Sequence, residues 1–216
     1  ELDIDLVLEC TGAFTSYNGA YKHIIAGAKK VLISAPGKGE MPTIVANVND
    51  SILSCDDQIV SAASCTTNCL APVLKVIQDN IGITKGFMST IHAYTSDQVN
   101  LDNTHKKGIL SRRGRACAEN IVPASTGAAK AIGMVIPELK GKMDGIAFRV
   151  PVADGSVVDI TLELNRNVPV DEINGYFNKN QNESLKITYD PIVSCDVLGK
   201  KYGAVVDGLS TSVIES

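Results

Sequence analysis

The sequence predicts two consecutive parts, an α/β part built on a parallel sheet and then an α+β part. Short apolar runs separated by one helical segment fill residues 1–64, an arrangement typical of parallel strands. From residue 65 onward, a long helical segment precedes longer strands, one of which alternates apolar and polar residues with a period of two. We therefore expect a domain boundary that divides the chain into residues 1–64 and residues 65–216, with both domains incomplete.

The first part is predicted to contain strands and one helix. Four short apolar runs predict the strands: residues 4–10, 31–34, 43–46 and 58–61. Helical spacing over residues 20–28 predicts a helix between the first two strands. Parallel sheets bind ligands at the carboxyl ends of their strands. Thr11, Gly12 and Ser34 occupy such strand ends here.

The second part is predicted to mix helices with a mostly antiparallel sheet. Predicted helices cover residues 65–80 and 126–135 and begin again at 170; predicted strands cover 86–94, 145–152, 156–165 and 209–215. Pro72 lies too deep for a first-turn proline if the first helix begins at Cys65, so we expect a kink or a later start. The strand 156–165 has four apolar residues that need cover from the protein's own core or from another subunit: Val158, Ile160, Leu162 and Leu164.

Composition excludes several classes of function. The chain has 216 residues, a 44% hydrophobic and 20% charged composition and a net charge of −4, which is typical of a soluble globular protein. A nucleic-acid binder would be more basic, and no apolar run reaches the ~18 residues that span a membrane. The chain opens without a signal peptide or an initiator methionine, so we expect a cytoplasmic protein and a fragment of a longer sequence.

The six cysteines do not predict a disulfide scaffold. Only Cys65 and Cys69 are close in sequence, and their C-x3-C spacing does not match a zinc site. A reducing compartment is therefore expected.

Cys65 and His92 are the candidate nucleophile and base. Ser64 is a residue type that caps helices, which would place Cys65 in the first turn at the positive end of the helix dipole. That position lowers a thiol pKa from about 8.5 into the range of about 3.5–7.5. His92 follows 27 residues later at a predicted strand end, and a strand that returns along a helix can bring its end to the helix start. Cys69, one turn deeper, is expected to be the poorer nucleophile.

The Cys–His pair alone does not identify a reaction. His23 lies in a helical segment and is expected at the surface, whereas His105 lies in a polar loop. A buried cysteine is often only a small apolar side chain, and a strand-end histidine often only satisfies a hydrogen bond. Proteases and acyl transferases also use Cys–His pairs.

Several strings resemble, in the same order, the glyceraldehyde-3-phosphate dehydrogenase family. SCTTNCLAP at residues 64–72 resembles that family's active-site signature. Further strings resemble the family as well: ECTGAF at 9–14, VLISAP at 31–36, STIHAYTSDQ at 89–98, IVPASTGAAKAIG at 121–133, VIPELKGK at 135–142, and FRVP with SVVD within 148–159. The resemblance covers nearly the whole chain, and ordered strings are more specific than any one motif.

The resemblance implies a fold and a reaction. Residues 1–64 would be the last part of a Rossmann-type NAD-binding domain, and residues 65–216 a catalytic domain that is incomplete at its C-terminus. Cys65 would attack the aldehyde of glyceraldehyde-3-phosphate while His92 moves the proton and stabilises the oxyanion. Inorganic phosphate would then release the thioester as 1,3-bisphosphoglycerate, which is a glycolytic step.

The resemblance also implies two phosphate sites. The residues that match the substrate-phosphate site are Thr95, Asp97 and Arg149. The residues that match the site of the attacking phosphate are Ser64, Thr66, Thr126 and Gly127. One of Arg112 and Arg113 is expected to face a phosphate, with Arg113 favoured, although such a basic run can also be a solvated face or a subunit contact.

Cofactor and assembly are implied only in part. Thr11, Gly12 and Ser34 match cofactor contacts, and NAD is the expected cofactor. NADP stays open, because the glycine-rich fingerprint and the acidic residue that follows it precede this chain in the family. The family is typically homotetrameric. Ala62 departs from the family pattern, in which many members have asparagine.

Three alternatives remain. A dehydrogenase for erythrose-4-phosphate would use the same chemistry. A Cys–His acyl transferase or hydrolase would need neither a nicotinamide nor a phosphate site, and would leave Thr126, Gly127 and Arg149 without a role. A non-catalytic interaction role on the same fold is the third.

Overall fold

The computed structural model describes residues 3–108 and 110–214, which form three sheets and four α-helices. The strands are β1 Leu6–Glu9, β2 Lys30–Ile33, β3 Ile59–Ser61, β4 Ile83–Ala93, β5 Val122–Ser125, β6 Met143–Val150, β7 Ser156–Leu164, β8 Leu185–Thr188 and β9 Ala204–Asp207. The helices are α1 Tyr17–Ile25, α2 Cys65–Asn80, α3 Ala128–Val135 and α4 Val170–Lys179.

The first sheet is parallel, as predicted. Its strand order is β1-β2-β3, and α1 connects β1 to β2. The helix begins after Ser16, whose hydroxyl accepts a hydrogen bond from the Gly19 amide at 3.1 Å. The small core under this sheet contains Ala20, Val31, Ile33 and Ile59. Because the three strands run in one direction, their carboxyl ends share one edge.

The predicted strand at residues 43–46 is wrong. The segment makes only an isolated bridge between Thr43 and Ser61. The Asn49 side chain forms hydrogen bonds with the backbone of this segment. It accepts from the Val45 amide at 2.8 Å and donates to the Thr43 carbonyl at 2.9 Å. These backbone groups are therefore satisfied without a strand partner.

The second sheet is mixed. Its strand order is β5-β6-β4-β7; the pairs β4–β7 and β5–β6 are antiparallel, whereas the central pair β4–β6 is parallel. The prediction of a mostly antiparallel sheet is therefore correct for two of the three pairings. The chain between β4 and β6 contains α3 and crosses over instead of returning through a hairpin, so β6 enters in the direction of β4.

The alternating strand β7 is covered from inside the chain. Its apolar residues all pack against the main core: Val158, Ile160, Leu162 and Leu164. The residues between them are exposed. The protein's own core therefore provides cover for this apolar set.

Helix α2 lies at the centre of the main core. Its buried Leu70, Leu74 and Ile77 pack with residues of β4 and α3. The helix begins at Cys65 and continues past Pro72, so the later start is wrong, and the alternative of a kink stays a prediction. Pro72 is itself buried, and core packing stabilises a helix that lacks one amide donor.

The last part of the chain differs from the prediction. Residues 209–214 form no strand, and residue 215 lies outside the described residues. The strands here are instead β8 and β9, which form a short parallel pair. Within residues 3–108 and 110–214, no helix is long and apolar enough to cross a membrane.

Candidate active site

The first turn of α2 presents Cys65. The Ser64 hydroxyl caps the helix by accepting from the Thr67 amide at 3.1 Å. Cys65 is the first helical residue and its side chain is exposed. The thiol therefore lies at the positive end of a 16-residue helix, where a negative charge is stabilised.

Strand β4 returns along α2 and brings His92 to the thiol. The distance between Cys65 Sγ and His92 Nε2 is 3.5 Å. On the other side of the ring, His92 Nδ1 lies 2.8 Å from the Ala93 carbonyl, which can only accept. The Nδ1 proton is therefore donated to Ala93, and Nε2 is free to take the thiol proton.

Arg149 supports the same assignment of the imidazole protons. It lies directly beside His92 in the parallel register of β4 and β6. Its Nη1 donates to the Thr95 hydroxyl at 2.9 Å and to the Ala93 carbonyl at 3.0 Å, which uses both of its protons. The approach of Nη1 to His92 Nδ1 at 3.2 Å is therefore a contact between two donors.

The two reactive groups shift each other's pKa. The hydrogen bond with His92 lowers the pKa of Cys65 below its ordinary value, with a further contribution from Thr66. The hydrogen bond with Cys65 raises the pKa of His92. Burial raises the pKa of Cys69 to about 11, so this second thiol stays protonated at neutral pH. The surroundings therefore favour a thiolate at Cys65 and a protonated thiol at Cys69.

A charged cluster lies next to the pair. The Thr95 hydroxyl donates to one oxygen of Asp97, and Arg113 forms an ion pair with the other oxygen. Arg113 also donates to the Ser125 carbonyl at 3.0 Å. Burial acts to raise the pKa of Asp97, but hydrogen bonds from Thr95 and Arg113 outweigh it and leave the pKa below its ordinary value.

This cluster has spare capacity for an anion. Arg149 and Arg113 carry two positive charges against the one negative charge of Asp97. Arg149 Nε is buried and has no hydrogen-bond partner among the described residues. Arginine donors next to a hydroxyl suit a phosphate group.

The structure separates the two arginines that the sequence left undecided. Both lie on the short 3-10 turn Arg112–Gly114, but only Arg113 contacts the cluster, through Asp97 and Ser125. Arg112 is exposed. The sequence lacked this information because the loop geometry decides which side chain turns inward.

The second set of predicted phosphate contacts lies at two helix starts. Ser64 and Thr66 are at the start of α2, and Gly127 is the N-cap of α3. The Thr126 hydroxyl accepts from the Ala128 amide at 3.2 Å. Helices α2 and α3 pack together in the main core. Helix amino ends of this kind favour anions.

The predicted cofactor residues lie on the edge where the parallel strands end. Thr11 follows β1, Ser34 follows β2, and β3 leads through Ala62 to Cys65. The ladder continues past the strands, because the Ser34 amide donates to the Glu9 carbonyl at 3.0 Å and the Ala62 amide donates to the Ile33 carbonyl at 2.9 Å. These residues and the thiol therefore share one edge of the sheet.

The Thr11–Gly12 turn is open to a ligand. Gly12 has φ +74°, and a side chain built there would meet nothing within 4 Å. Both residues are exposed. An open backbone at the carboxyl edge of a parallel sheet fits part of a dinucleotide.

Sequence reasoning missed one feature of this edge. His23 lies at the surface as expected, with 28% of its side chain exposed, but its Nε2 also lies 2.9 Å from Glu9 Oε2, a contact that the sequence does not predict. The available signal was a charged residue, Glu9, at the end of the apolar run of β1, where a buried charge requires partners.

Comparisons with known proteins agree on one family. A family profile described as "Glyceraldehyde 3-phosphate dehydrogenase, C-terminal domain" matches residues 64–216. Glyceraldehyde-3-phosphate dehydrogenase of Clostridium pasteurianum is 55% identical over 215 residues, covering 100% of this chain and 64% of the relative. The Streptococcus pyogenes protein of the same name is 54% identical over 213 residues, with coverage of 98% and 63%. The chain thus spans just under two thirds of the length of these curated relatives.

Proposed function

The chain belongs to the glyceraldehyde-3-phosphate dehydrogenase family, and from that premise we propose that the complete protein converts glyceraldehyde-3-phosphate to 1,3-bisphosphoglycerate. NAD would be the oxidant and inorganic phosphate the acyl acceptor, as in a glycolytic phosphorylating dehydrogenase. The observation that carries the proposal is the Cys65–His92 pair, with Sγ and Nε2 3.5 Å apart. The neighbouring charged cluster supports a phosphorylated substrate, because its two arginines can bind a phosphate group.

Cys65 is proposed to form the covalent bond to the substrate. Its thiolate adds to the aldehyde carbon, and the resulting oxyanion takes a proton from His92 Nε2. His92 then removes that hydroxyl proton as the carbon is oxidised, which leaves a thioester on Cys65. The hydrogen bond from Nδ1 to Ala93 holds the ring in place through both proton transfers.

NAD is proposed as the cofactor, with Thr11, Gly12 and Ser34 among its contacts. The open turn and its place at the carboxyl edge of the first sheet support that role. When bound, NAD supplies the acceptor for the two electrons and one hydrogen that the aldehyde carbon loses. NADP would serve the same chemistry.

Two anion sites are proposed for the two phosphates. Thr95, Arg113 and Arg149 would hold the substrate phosphate, with Asp97 orienting the first two of them. The attacking phosphate would bind at the helix starts that carry the remaining candidates: Ser64, Thr66, Thr126 and Gly127. Inorganic phosphate then attacks the thioester carbon and Cys65 leaves as a thiolate, which restores the starting state.

Neighbouring arginines provide a matched test of the substrate site. Arg113→Leu is expected to lower kcat/KM for the aldehyde about 10- to 100-fold. The variant loses a charge-assisted contact to the substrate phosphate and the ion pair that orients the Asp97 side chain. Arg112→Leu, one residue away and exposed, is expected to change it less than about threefold. Steady-state kinetics of both variants measure the difference. Equal losses in the two variants would contradict the site.

The proposed activity itself is tested with the complete protein, NAD, phosphate and the aldehyde, by following reduced nicotinamide. A phosphate-dependent rate that is faster with glyceraldehyde-3-phosphate than with erythrose-4-phosphate is expected. A higher kcat/KM with erythrose-4-phosphate would overturn the substrate. Turnover that needs no nicotinamide would overturn the reaction and favour a hydrolase or acyl transferase.

A cytoplasmic homotetramer is proposed for the complete protein. On the face of the second sheet opposite the core, Phe87 is 49% exposed and Val157 is 51% exposed, which leaves apolar surface for a second copy. All six cysteines are free thiols, which fits a reducing compartment. Sedimentation of the complete protein is expected to give four times the subunit mass, and Phe87→Asp to reduce it. A monomeric wild-type protein would contradict the assembly.

A further inference from the structure

We propose that Glu9 is a positioning residue whose carboxylate holds the Thr11–Gly12 turn in the shape that receives the cofactor. This inference rests on the proposed function, because it assumes that the turn binds NAD. Glu9 is the last residue of β1, and only 2% of its side chain is exposed. A carboxylate this deeply buried is costly unless its oxygens are hydrogen-bonded.

Both oxygens of the Glu9 carboxylate are used. One oxygen accepts from the Thr11 amide at 2.8 Å and also from the Thr11 hydroxyl. The other lies 2.9 Å from His23 Nε2. The hydrogen bond from the Thr11 side chain, with help from the other contacts, lowers the pKa of Glu9 below its ordinary value, so the carboxylate stays ionised at neutral pH.

The backbone of the same residue holds the second candidate contact. The Glu9 carbonyl accepts from the Ser34 amide at 3.0 Å and from the Ser34 hydroxyl at 3.2 Å. Glu9 therefore holds both Thr11, which follows β1, and Ser34, which follows β2. The side-chain part of this arrangement can be changed by mutation, and the backbone part remains.

The Glu9 carboxylate is buried, whereas the Thr11–Gly12 turn that it holds is exposed. Because the Thr11 hydroxyl donates to Glu9 and accepts from the Ala13 amide at 3.1 Å, its orientation is fixed and one lone pair is left for a ligand. Gly12 follows at φ +74°. A turn that is ordered before binding loses less conformational entropy when the ligand binds.

His23 is the second residue that contacts the Glu9 carboxylate. It is held in turn by Phe14, whose ring packs edge-on at 5.3 Å between ring centroids. Phe14 lies just after the Thr11–Gly12 turn, so the chain that leaves the turn packs against the histidine that contacts Glu9. Removing His23 should therefore loosen the Glu9 carboxylate without removing a partner of Thr11.

The test measures NAD binding to the complete protein by calorimetry. Glu9→Ala is expected to raise the Kd about tenfold, because the amide and hydroxyl of Thr11 lose a charged acceptor. Glu9→Gln keeps an oxygen that accepts from Thr11, and its amide can donate to His23 Nε2 when the imidazole proton lies on Nδ1, so its Kd should stay within about threefold of wild type. His23→Ala should raise the Kd about threefold. Asp5→Ala is the matched control, since Asp5 is an acid beside β1 with a side chain that is 78% exposed, and its Kd should not change.

Two further readouts separate positioning from a general loss of structure. The alkylation rate of Cys65 without cofactor, and kcat at saturating NAD, are expected to stay within about twofold of wild type in Glu9→Ala. Wild-type Kd values in both Glu9→Ala and His23→Ala would overturn the inference. So would a Kd for Glu9→Gln as weak as that of Glu9→Ala. If Glu9→Ala does not fold, a wild-type Kd in His23→Ala, or a Kd in Glu9→Gln that is weaker than wild type by about tenfold or more, would overturn the inference.

Cofactor binding by the wild-type protein separates a failure of the proposed function from a failure of the role of Glu9. If it binds neither NAD nor NADP, the proposed function is wrong and the role of Glu9 is wrong with it. If it binds NAD and the variants bind equally well, the proposed function stands and only the role of Glu9 is wrong.

Discussion

Replacing Cys65 by serine in the complete protein is expected to lower kcat by about 10⁴-fold or more. A serine hydroxyl is not ionised at neutral pH, and neither the α2 dipole nor His92 can supply the several kcal/mol that its ionisation would need. When phosphate attacks the acyl carbon, the serine alkoxide would also be a poorer leaving group than the cysteine thiolate. Reduced nicotinamide formed per second measures the effect.

Cys69 is the control for this variant. It lies one turn deeper in the same helix, burial raises its pKa to about 11, and Cys69→Ser is expected to keep kcat within about threefold. Turnover near wild type in Cys65→Ser would exclude Cys65 as the nucleophile. A large loss in both variants would show that the change acts on the structure of α2 instead.

Replacing His92 by asparagine is expected to lower kcat about 10²- to 10⁴-fold, since the general acid and base is lost. The same change should shift the pH dependence of Cys65 alkylation. His92 lowers the pKa of Cys65, so its removal raises that pKa and moves the midpoint of the rate profile to higher pH. Alkylation near pH 7 becomes slower, while the rates converge above the ordinary thiol pKa of about 8.5.

The alkylation profile also separates the two roles of His92. A variant that loses kcat but keeps the wild-type midpoint would mean that His92 moves protons on the substrate and does not activate the thiol. An unchanged kcat would contradict the assignment of His92 as acid and base. Iodoacetamide labelling, read by mass spectrometry at the peptide that contains Cys65, gives the profile.

The second sheet explains why a hydrolase is a poorer interpretation than a dehydrogenase. A Cys–His hydrolase would need no charge beyond the pair and an oxyanion site. Here Arg149 pairs in register with His92, and Arg113 joins it through Asp97. Two arginines and one carboxylate beside the thiol suit a substrate that carries a phosphate.

The local parts of the fold were predictable from sequence. Ser64 is a cap residue that precedes helical spacing, so the start of α2 followed from local chemistry. Apolar runs with short turns and a helix between two of them predicted a parallel sheet, which β1, β2 and β3 form. The period of two in β7 predicted which face of that strand is buried.

The parts that depend on distant contacts were not predictable. The parallel pairing of β4 with β6 is set by the path of the chain between them, and no local pattern encodes that path. The segment 43–46 has strand-like residues but pairs with the Asn49 side chain instead. Tertiary structure also decides which of Arg112 and Arg113 turns inward. It likewise decides that His23 contacts Glu9.

The most direct measurement is the intact mass of the complete protein after it is mixed with NAD and glyceraldehyde-3-phosphate in the absence of phosphate. We expect one 3-phosphoglyceroyl group per subunit, located on the peptide that contains Cys65, and its loss when inorganic phosphate is added. No adduct, an adduct on another residue, or an adduct on Cys65 that phosphate does not remove would contradict the proposed thioester mechanism.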